Sequence, residues 1–284
     1  MQGGVSNLFA DDNKYFKTIR DKFGIYFERG GTIGWYLNDD ALIVIDAEFP
    51  DTAENFMNGM KEKTQRKIDI LFNTHHHRDH TSGNYYLTNF ANKIFAQENC
   101  PVLQKKAYGD GDTAKMQVYA DTTFKDEQML DIGKEKIKAR YIQPAHTGGD
   151  AMYHFQNANI AHIGDLVFNR TYPYIDTKGG GSLKSWHGYL EKIPNYFDKD
   201  TLFIFGHAPD PEFLTGKMDD IISMKNYFAS LLEYVDKSIK EGKSKEEIAN
   251  SNMVPNISDR KEVWNGAIKM SLNAAYDELT ANAN

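Results

Sequence analysis

The string His75-x-His77-x-Asp79-His80 constrains this chain more than any other feature. Four groups able to ligate a metal stand within six residues, and the apolar run Ile68 to Phe72 leads into them through Asn73 and Thr74. A short apolar run of that kind is a buried strand. A tight loop at its C-terminal end can turn alternate side chains toward one point, because successive side chains of an extended segment face opposite ways. Imidazole nitrogens suit Zn²⁺ and related first-row ions, and Asp adds a hard oxygen ligand. By the same alternation, His76 is expected to turn away from its neighbours and to make a structural hydrogen bond.

Three more ligand-type residues follow strands in the same manner. His146 comes after Lys138 to Ile142, Asp165 after Ala161-His162-Ile163-Gly164, and His207 after Thr201 to Gly206. Glycine stands immediately before Asp165 and before His207, where it permits sharp turns and close backbone approach. Alone, each is an ordinary polar loop residue. Together they supply the nitrogen ligands and the carboxylate that a two-metal site needs. The single cysteine, Cys100, excludes an intramolecular disulfide and a thiolate cluster, so the ligands are His and Asp. No activating group neighbours Cys100 in sequence, and a structural thiol is expected there.

The elements around these residues suit two packed sheets with helices outside. Residues 24–29, 32–37 and 41–45 read as a β-meander punctuated by Gly30-Gly31 and Asn38-Asp39-Asp40. Residues 52–66 have helical spacing of Ala53, Phe56, Met57 and Met60. A helix is expected from Gly83-Asn84 through about Ala96. Strands are expected near 137–142, 152–155, 160–163 and 202–205, and a helix over 183–193. From Glu212 the pattern is helical, with an apolar stripe of Met224, Phe228, Leu231, Leu232 and Val235 and a capping box at Ser244 to Glu247. The expected organisation is a catalytic core over residues 1–211 and a helical C-terminal extension over 212–284 packed on the same domain.

Composition bounds the partners. The chain has 284 residues, 40% of them hydrophobic, enough for a substantial core. A net charge of −7 with scattered Lys and Arg argues against nucleic acid as the main partner. No run approaches the 18 or so apolar residues that would span a membrane. The first 20 residues lack the apolar region of a signal peptide, so the chain reads as cytoplasmic as written, and as periplasmic or secreted if a leader has been removed. Oligomeric state is not encoded in any pattern found. A small-molecule substrate is therefore expected.

The ordered set His75, His77, Asp79, His80, His146, Asp165 and His207 resembles the ligand set of the metallo-β-lactamase superfamily, over roughly residues 20–210. The resemblance implies an α/β fold, a four-layer αββα sandwich with two divalent metal ions at one edge of the sheets. It implies that His75, His77 and His146 bind the first metal, that Asp79, His80 and His207 bind the second, and that Asp165 bridges. Zn²⁺ is the expected metal, with Fe or Mn as alternatives. It further implies a hydrolase in which a metal-bridged hydroxide cleaves a carbonyl-containing bond: ester, lactone, thioester or amide. Asp79 would orient the hydroxide and relay its proton.

The stretch Thr74 to His80 is similar to the glyoxalase II branch, a thioesterase group. The chain departs from that branch after His207, where Ala208-Pro209 replace a Glu and a ligand-contacting Tyr. A β-lactamase-like hydrolase is a further alternative, although Asp165 differs from the Cys of one zinc β-lactamase subclass and from the absent carboxylate of another. Ribonuclease Z-like members keep the Asp, but the acidic charge disfavours them. An oxygen-reducing branch carries Glu where this chain has His77. A non-catalytic metal-binding module is the alternative of a different class, and the intact ligand set opposes it.

Substrate contacts are expected from the segment after Asp165. Tyr172 and Tyr174 carry apolar faces with polar tips, and Arg170 and Lys178 are available to an anionic group. Gly179-Gly180-Gly181 lacks the phosphate-loop form and is expected to let the segment move. His154 and His162 lie in strand-like runs and are expected to pack. His187, near a helix start, is a weaker candidate for the substrate side.

Overall fold

The computed structural model describes residues 14–20 and 22–281. The signal-peptide expectation rests on residues 1–20, of which 1–13 lie outside the described residues. In chain order the strands are β1 (Phe16–Arg20), β2 (Phe23–Tyr26), β3 (Ile33–Leu37), β4 (Leu42–Ile45), β5 (Ile70–Asn73), β6 (Ile94–Gln97), β7 (Thr122–Phe124), β8 (Glu127–Ile132), β9 (Glu135–Arg140), β10 (Met152–Phe155), β11 (Ile160–His162), β12 (Leu202–Ile204) and β13 (Thr215–Gly216). The helices are α1 (Pro50–Lys63), α2 (Arg78–Thr81), α3 (Asn84–Leu87), α4 (Asn99–Tyr108), α5 (Leu183–Lys192), α6 (Met218–Lys240), α7 (Lys245–Ala249) and α8 (Ala267–Thr280).

Two sheets result. The first runs β1 to β7 in sequence order, antiparallel to β4 and parallel from β4 onward. The second has the order β13-β12-β11-β10-β9-β8, antiparallel except for the β11–β12 pair. Period-two alternation divides the side chains between faces. In β4, Ile43 and Ile45 enter the core between the sheets, where they join Phe72, Phe95, Ile137, Tyr153, Phe155 and Ile204. Leu42 and Val44 face the other way, toward Phe56, Met57 and Met60 of α1. On the outer face of the second sheet, Met152, Ala161 and Phe203 share a cluster with Trp186 and Leu190 of α5, Phe228 and Leu231 of α6 and Leu272 of α8. Helix, sheet, sheet and helix are therefore the four layers, as expected.

One expected element is replaced. The helix anticipated from Gly83 to Ala96 stops at Leu87, and Ile94–Gln97 is the buried strand β6. Ile94, Phe95 and Ala96 are packed on both faces between parallel neighbours, and a continuous apolar run is the pattern such a central strand takes. Beyond β6, α4 had no forecast, because only Cys100 and Gln104 of its ten residues are buried and its apolar period is weak. The capping box of α7 is present, with Ser244 accepting from the Glu247 amide and Glu247 accepting from the Ser244 amide.

Candidate metal centre

Each candidate ligand leaves the C-terminal end of a strand, the edge at which α/β sheets bind ligands. β5 delivers His75 to His80, the chain after β9 delivers His146, β11 delivers Asp165 and β12 delivers His207. The structure brings all seven together. His75 Nε2 and His146 Nε2 each stand 3.0 Å from His77 Nδ1. Asp165 Oδ2 lies 3.8 Å from His75 Nε2, 3.5 Å from His146 Nε2 and 3.4 Å from His207 Nε2. On the other side, His207 Nε2 is 3.0 Å from Asp79 Oδ2 and 3.4 Å from His80 Nε2, and His80 Nε2 is 3.1 Å from Asp165 Oδ1. His75, His77, His146 and Asp165 thus form one group spaced to hold a metal ion, and Asp79, His80 and His207 form a second, with Asp165 between them.

Glycines permit this crowding. Gly164 has φ +50, a left-handed conformation that favours glycine, and it turns the chain so that Asp165 faces inward. At Gly206 a Cβ would overlap Asp165 Oδ1, so the backbone before His207 approaches the carboxylate only because no side chain intervenes.

The hydrogen bonds behind the ligands fix the direction of their lone pairs. Thr74 Oγ1 donates to Asp46 Oδ2 at 2.8 Å, so His75 Nδ1, 3.0 Å from the same hydroxyl, is the donor to it. His77 Nε2 donates to Asp176 Oδ2 at 2.9 Å. With one proton on each ring, His75 Nε2 and His77 Nδ1 therefore both present lone pairs, 3.0 Å apart, and do not hydrogen-bond to one another. A cation between them is what this donor set fits. His80 Nδ1 donates to Asp46 Oδ2 at 2.8 Å, so one buried carboxylate steadies a histidine in each group.

Charge divides the two groups. Burial holds His75 well below the ordinary imidazole range, with His80 adding repulsion, and burial with His77 pushes His146 down to about 3. Both are neutral donors at neutral pH. Burial also pulls on His207 and His80, but Asp165 and Asp79 reverse it, so His207 is pushed up to about 10 and His80 well above its usual value. Burial raises the Asp165 carboxyl, yet His207, His80 and His75 together hold it well below the carboxylate range.

A pocket of about 790 Å³ opens over the two groups, lined in part by Asp79, Asp165 and His207. Of the segment after Asp165, Tyr174 and Lys178 line it, and Tyr174 meets the His77 ring edge-on at 5.5 Å. Tyr172 does not. It is 6% exposed and packs against Tyr227, because the chain between Phe168 and Thr171 is tied to Arg260 and Lys261 and turns that ring into the core. Arg170 lies over the Phe213 ring, away from the pocket. Gly179 is not a hinge but a point of contact: its N–H donates to Asp176 Oδ1, its carbonyl accepts from the Gly148 amide, and a Cβ there would overlap Asp176 Oδ2.

The remaining candidates sort by contact. His76 Nε2 is 3.5 Å from Asp176 Oδ2, so it faces the pocket wall rather than His75 and His146. His162 donates to the Thr32 carbonyl inside the core, and His154 packs on Phe197. His187 does not line the pocket and stands 3.9 Å from Glu191. Cys100 is buried and its thiol is pushed far up by that burial, which makes it inert. Asp46 and Asp176 were not anticipated. Asp46 follows the apolar strand β4 as Asp165 follows β11, a strand-end carboxylate of the same kind. Asp176 lies in the segment that was singled out, but its partner is 99 residues away.

Comparison with known proteins agrees with this geometry. A model of the metallo-beta-lactamase superfamily matches residues 27–207. The hydroxyacylglutathione hydrolase of Brucella anthropi is 30% identical over 101 residues, which cover 36% of this chain and 34% of that protein. The chain thus aligns with about a third of that curated relative. Among solved structures, the stereoselective inverting sec-alkylsulfatase of Pseudomonas sp. superposes with a TM-score of 0.72 at 14% identity, covering 92% of this chain and 49% of that one. The metallo-beta-lactamase of Pontibacter korlensis superposes with a TM-score of 0.62 at 16% identity, covering 75% of this chain and 98% of that one. Such low identities speak to the fold alone. The family model takes in the whole candidate series from His75 to His207, and the chain belongs to the metallo-beta-lactamase superfamily.

Proposed function

We propose that this protein is a dinuclear metal-dependent hydrolase that cleaves a carbonyl-containing bond in a small molecule. His75, His77 and His146 would hold the first ion and Asp79, His80 and His207 the second, with Asp165 shared. The observation that supports the reading is the 3.0 Å approach of His75 Nε2 and His77 Nδ1, two ring nitrogens whose outer partners occupy their other nitrogens, which a cation in that group would reconcile. Two divalent ions, Zn²⁺ by the nitrogen-rich donor set, would supply a nucleophile at neutral pH and polarise the scissile carbonyl.

The chain's own residues do the rest. Asp79 is 30% exposed, lines the pocket and stands 3.0 Å from His207, so it would orient a water and accept its proton. Water adds to the carbonyl carbon, the bond to the leaving atom breaks, and the proton held at Asp79 passes to that atom. Phe168 and Tyr174 put aromatic rings against His146 and His77 at the pocket.

Elemental analysis of protein purified without chelator tests the site, and a panel of ester, lactone, thioester, β-lactam and alkyl sulfate substrates tests the bond. Two ions per chain and turnover of a carbonyl compound are expected. A His207→Ala variant is expected to keep its fold, lose one ion and lose at least a hundredfold in turnover. Reproducible absence of metal, or full metal and full turnover in that variant, overturns the assignment.

A further inference from the structure

The pocket walls are chemically unlike on its two sides. One wall is α4 with the residues docked on it. Arg78 lies 6.0 Å from the Tyr108 ring centroid, and Lys106 is on the same helix. Lys178 belongs to this side as well. Asn99, at the start of α4, donates to the Gly148 carbonyl, and the Gly148 amide donates to the carbonyl of Gly179, next in chain to Lys178. Arg78, Lys106 and Lys178 all line the pocket, and among the described residues none has an ion-pair partner. The nearby carboxylates are engaged elsewhere: Asp176 accepts from His77 and from the Gly179 amide, and Asp79 accepts from His207. The cavity is thus lined by three cations without an ion-pair partner among the described residues and by three carboxylates, Asp79, Asp165 and Asp176, that face histidines.

The opposite wall is apolar and comes from two distant segments. Tyr174 and Trp264 meet with ring centroids 6.3 Å apart, and Val263 is beside Trp264 in sequence. Tyr174 is 43% exposed and Val263 52%, so both keep uncovered apolar surface facing the cavity. The candidate ligand His77 meets Tyr174 of the apolar part, and His76, beside it in sequence, stands 6.3 Å from Tyr108 of the basic part.

We propose that the pocket takes a substrate with an apolar group on one side of its scissile bond and an anionic group on the other, the apolar part against Tyr174, Val263 and Trp264 and the anion among Arg78, Lys106 and Lys178. It rests on the hydrolase reading of the same site. Desolvating an apolar group on the aromatic wall supplies affinity in proportion to the area covered. The cations supply orientation and a salt-dependent attraction. Together they fix which end of the molecule faces which wall, and so place the bond between them over the metal ligands.

The test uses metal-loaded protein and two probes without a hydrolysable bond, the S-hexyl thioether of 3-mercaptopropionate and the primary alcohol that has CH2OH in place of its carboxylate. Binding of each is measured by calorimetry at low salt, for the wild type, for an Arg78→Gln/Lys106→Gln/Lys178→Gln variant and for Trp264→Ala. The carboxylate is expected to bind at least tenfold tighter than the alcohol in the wild type. The triple variant should lose most of that ratio at unchanged metal content. Any attraction of the carboxylate to the ions themselves survives in that variant, so the change in ratio reports the three cations. Trp264→Ala should weaken both probes alike. An equal ratio in wild type and triple variant, or failure of both probes to bind metal-loaded protein, overturns the proposal. Turnover of S-hexanoyl-3-mercaptopropionate and its methyl ester by the same preparation addresses the hydrolase reading separately.

Discussion

At the scale of single residues, the ligands were legible because type and position coincide: a His or Asp directly after an apolar strand needs no knowledge of its partners. The groups that orient them were harder to read. Asp46 sits at φ 63 directly after β4 and carries the same strand-end signal as Asp165, but the partners it bridges, Thr74 and His80, lie 28 and 34 residues further along the chain. Asp176 reaches His77 from the other half of the chain. Such outer partners tune ligand orientation and basicity, and their loss commonly costs about 10–100-fold in metal affinity. Asp46→Ala should therefore weaken both metal groups, through His75 by way of Thr74 and through His80 directly. Asp176→Ala should weaken only the group that contains His77, by about tenfold. Competition with a chromogenic chelator resolves the two cases. Equal losses at both sites in Asp176→Ala would contradict the hydrogen-bond assignment.

At the scale of elements, strands with a buried alternation were read correctly, and errors fell where tertiary packing decides. β6 carries a short apolar run that fits helix or strand equally well by period, and only its place between β5 and β7 settles it. The segment after Asp165 shows the same limit. Its glycines suggest mobility, but Gly179 is wedged against Asp176, and the start of the segment is clamped by Arg260. That guanidinium is 9% exposed, donates to the carbonyls of Phe168 and Thr171, and lies over the Tyr227 ring. Hydrogen bonds from a charged group contribute about 1.5–3 kcal/mol each. Arg260→Ala should cost about 3 kcal/mol in chemical denaturation and raise the Michaelis constant several-fold, because Phe168 and Tyr174 lose their support. Metal content should hold, since no ligand contacts Arg260. A variant as stable as the wild type would show that the carbonyls find water instead.

For the whole molecule, the expected division into a core of residues 1–211 and an extension of 212–284 is a boundary in sequence pattern, and the packing argues that it is no boundary in stability. Ile221, Met224, Tyr227, Phe228, Leu231 and Val235 of α6 are fully buried in the cluster that also holds Trp186, Tyr189 and Phe203. Burying one large apolar side chain contributes about 1.5–3 kcal/mol, while the net stability of a domain is only about 5–15 kcal/mol. Removing α6 and α8 would leave α5 alone on the outer face of the second sheet and bare most of the cluster it shares with them. It would also take away Arg260, Val263 and Trp264, and with them the clamp and one pocket wall. The family model stops at residue 207, so a shortened chain keeps every candidate ligand and still loses most of the helices that cover the second sheet. A chain ending at residue 211 is therefore expected to be insoluble, or to keep secondary structure without a cooperative thermal transition and without stoichiometric metal. Circular dichroism, calorimetry and elemental analysis of that fragment read the three properties independently. A soluble fragment that melts cooperatively with two ions bound would make the extension an accessory. Its seat over the pocket would then matter for substrate choice alone.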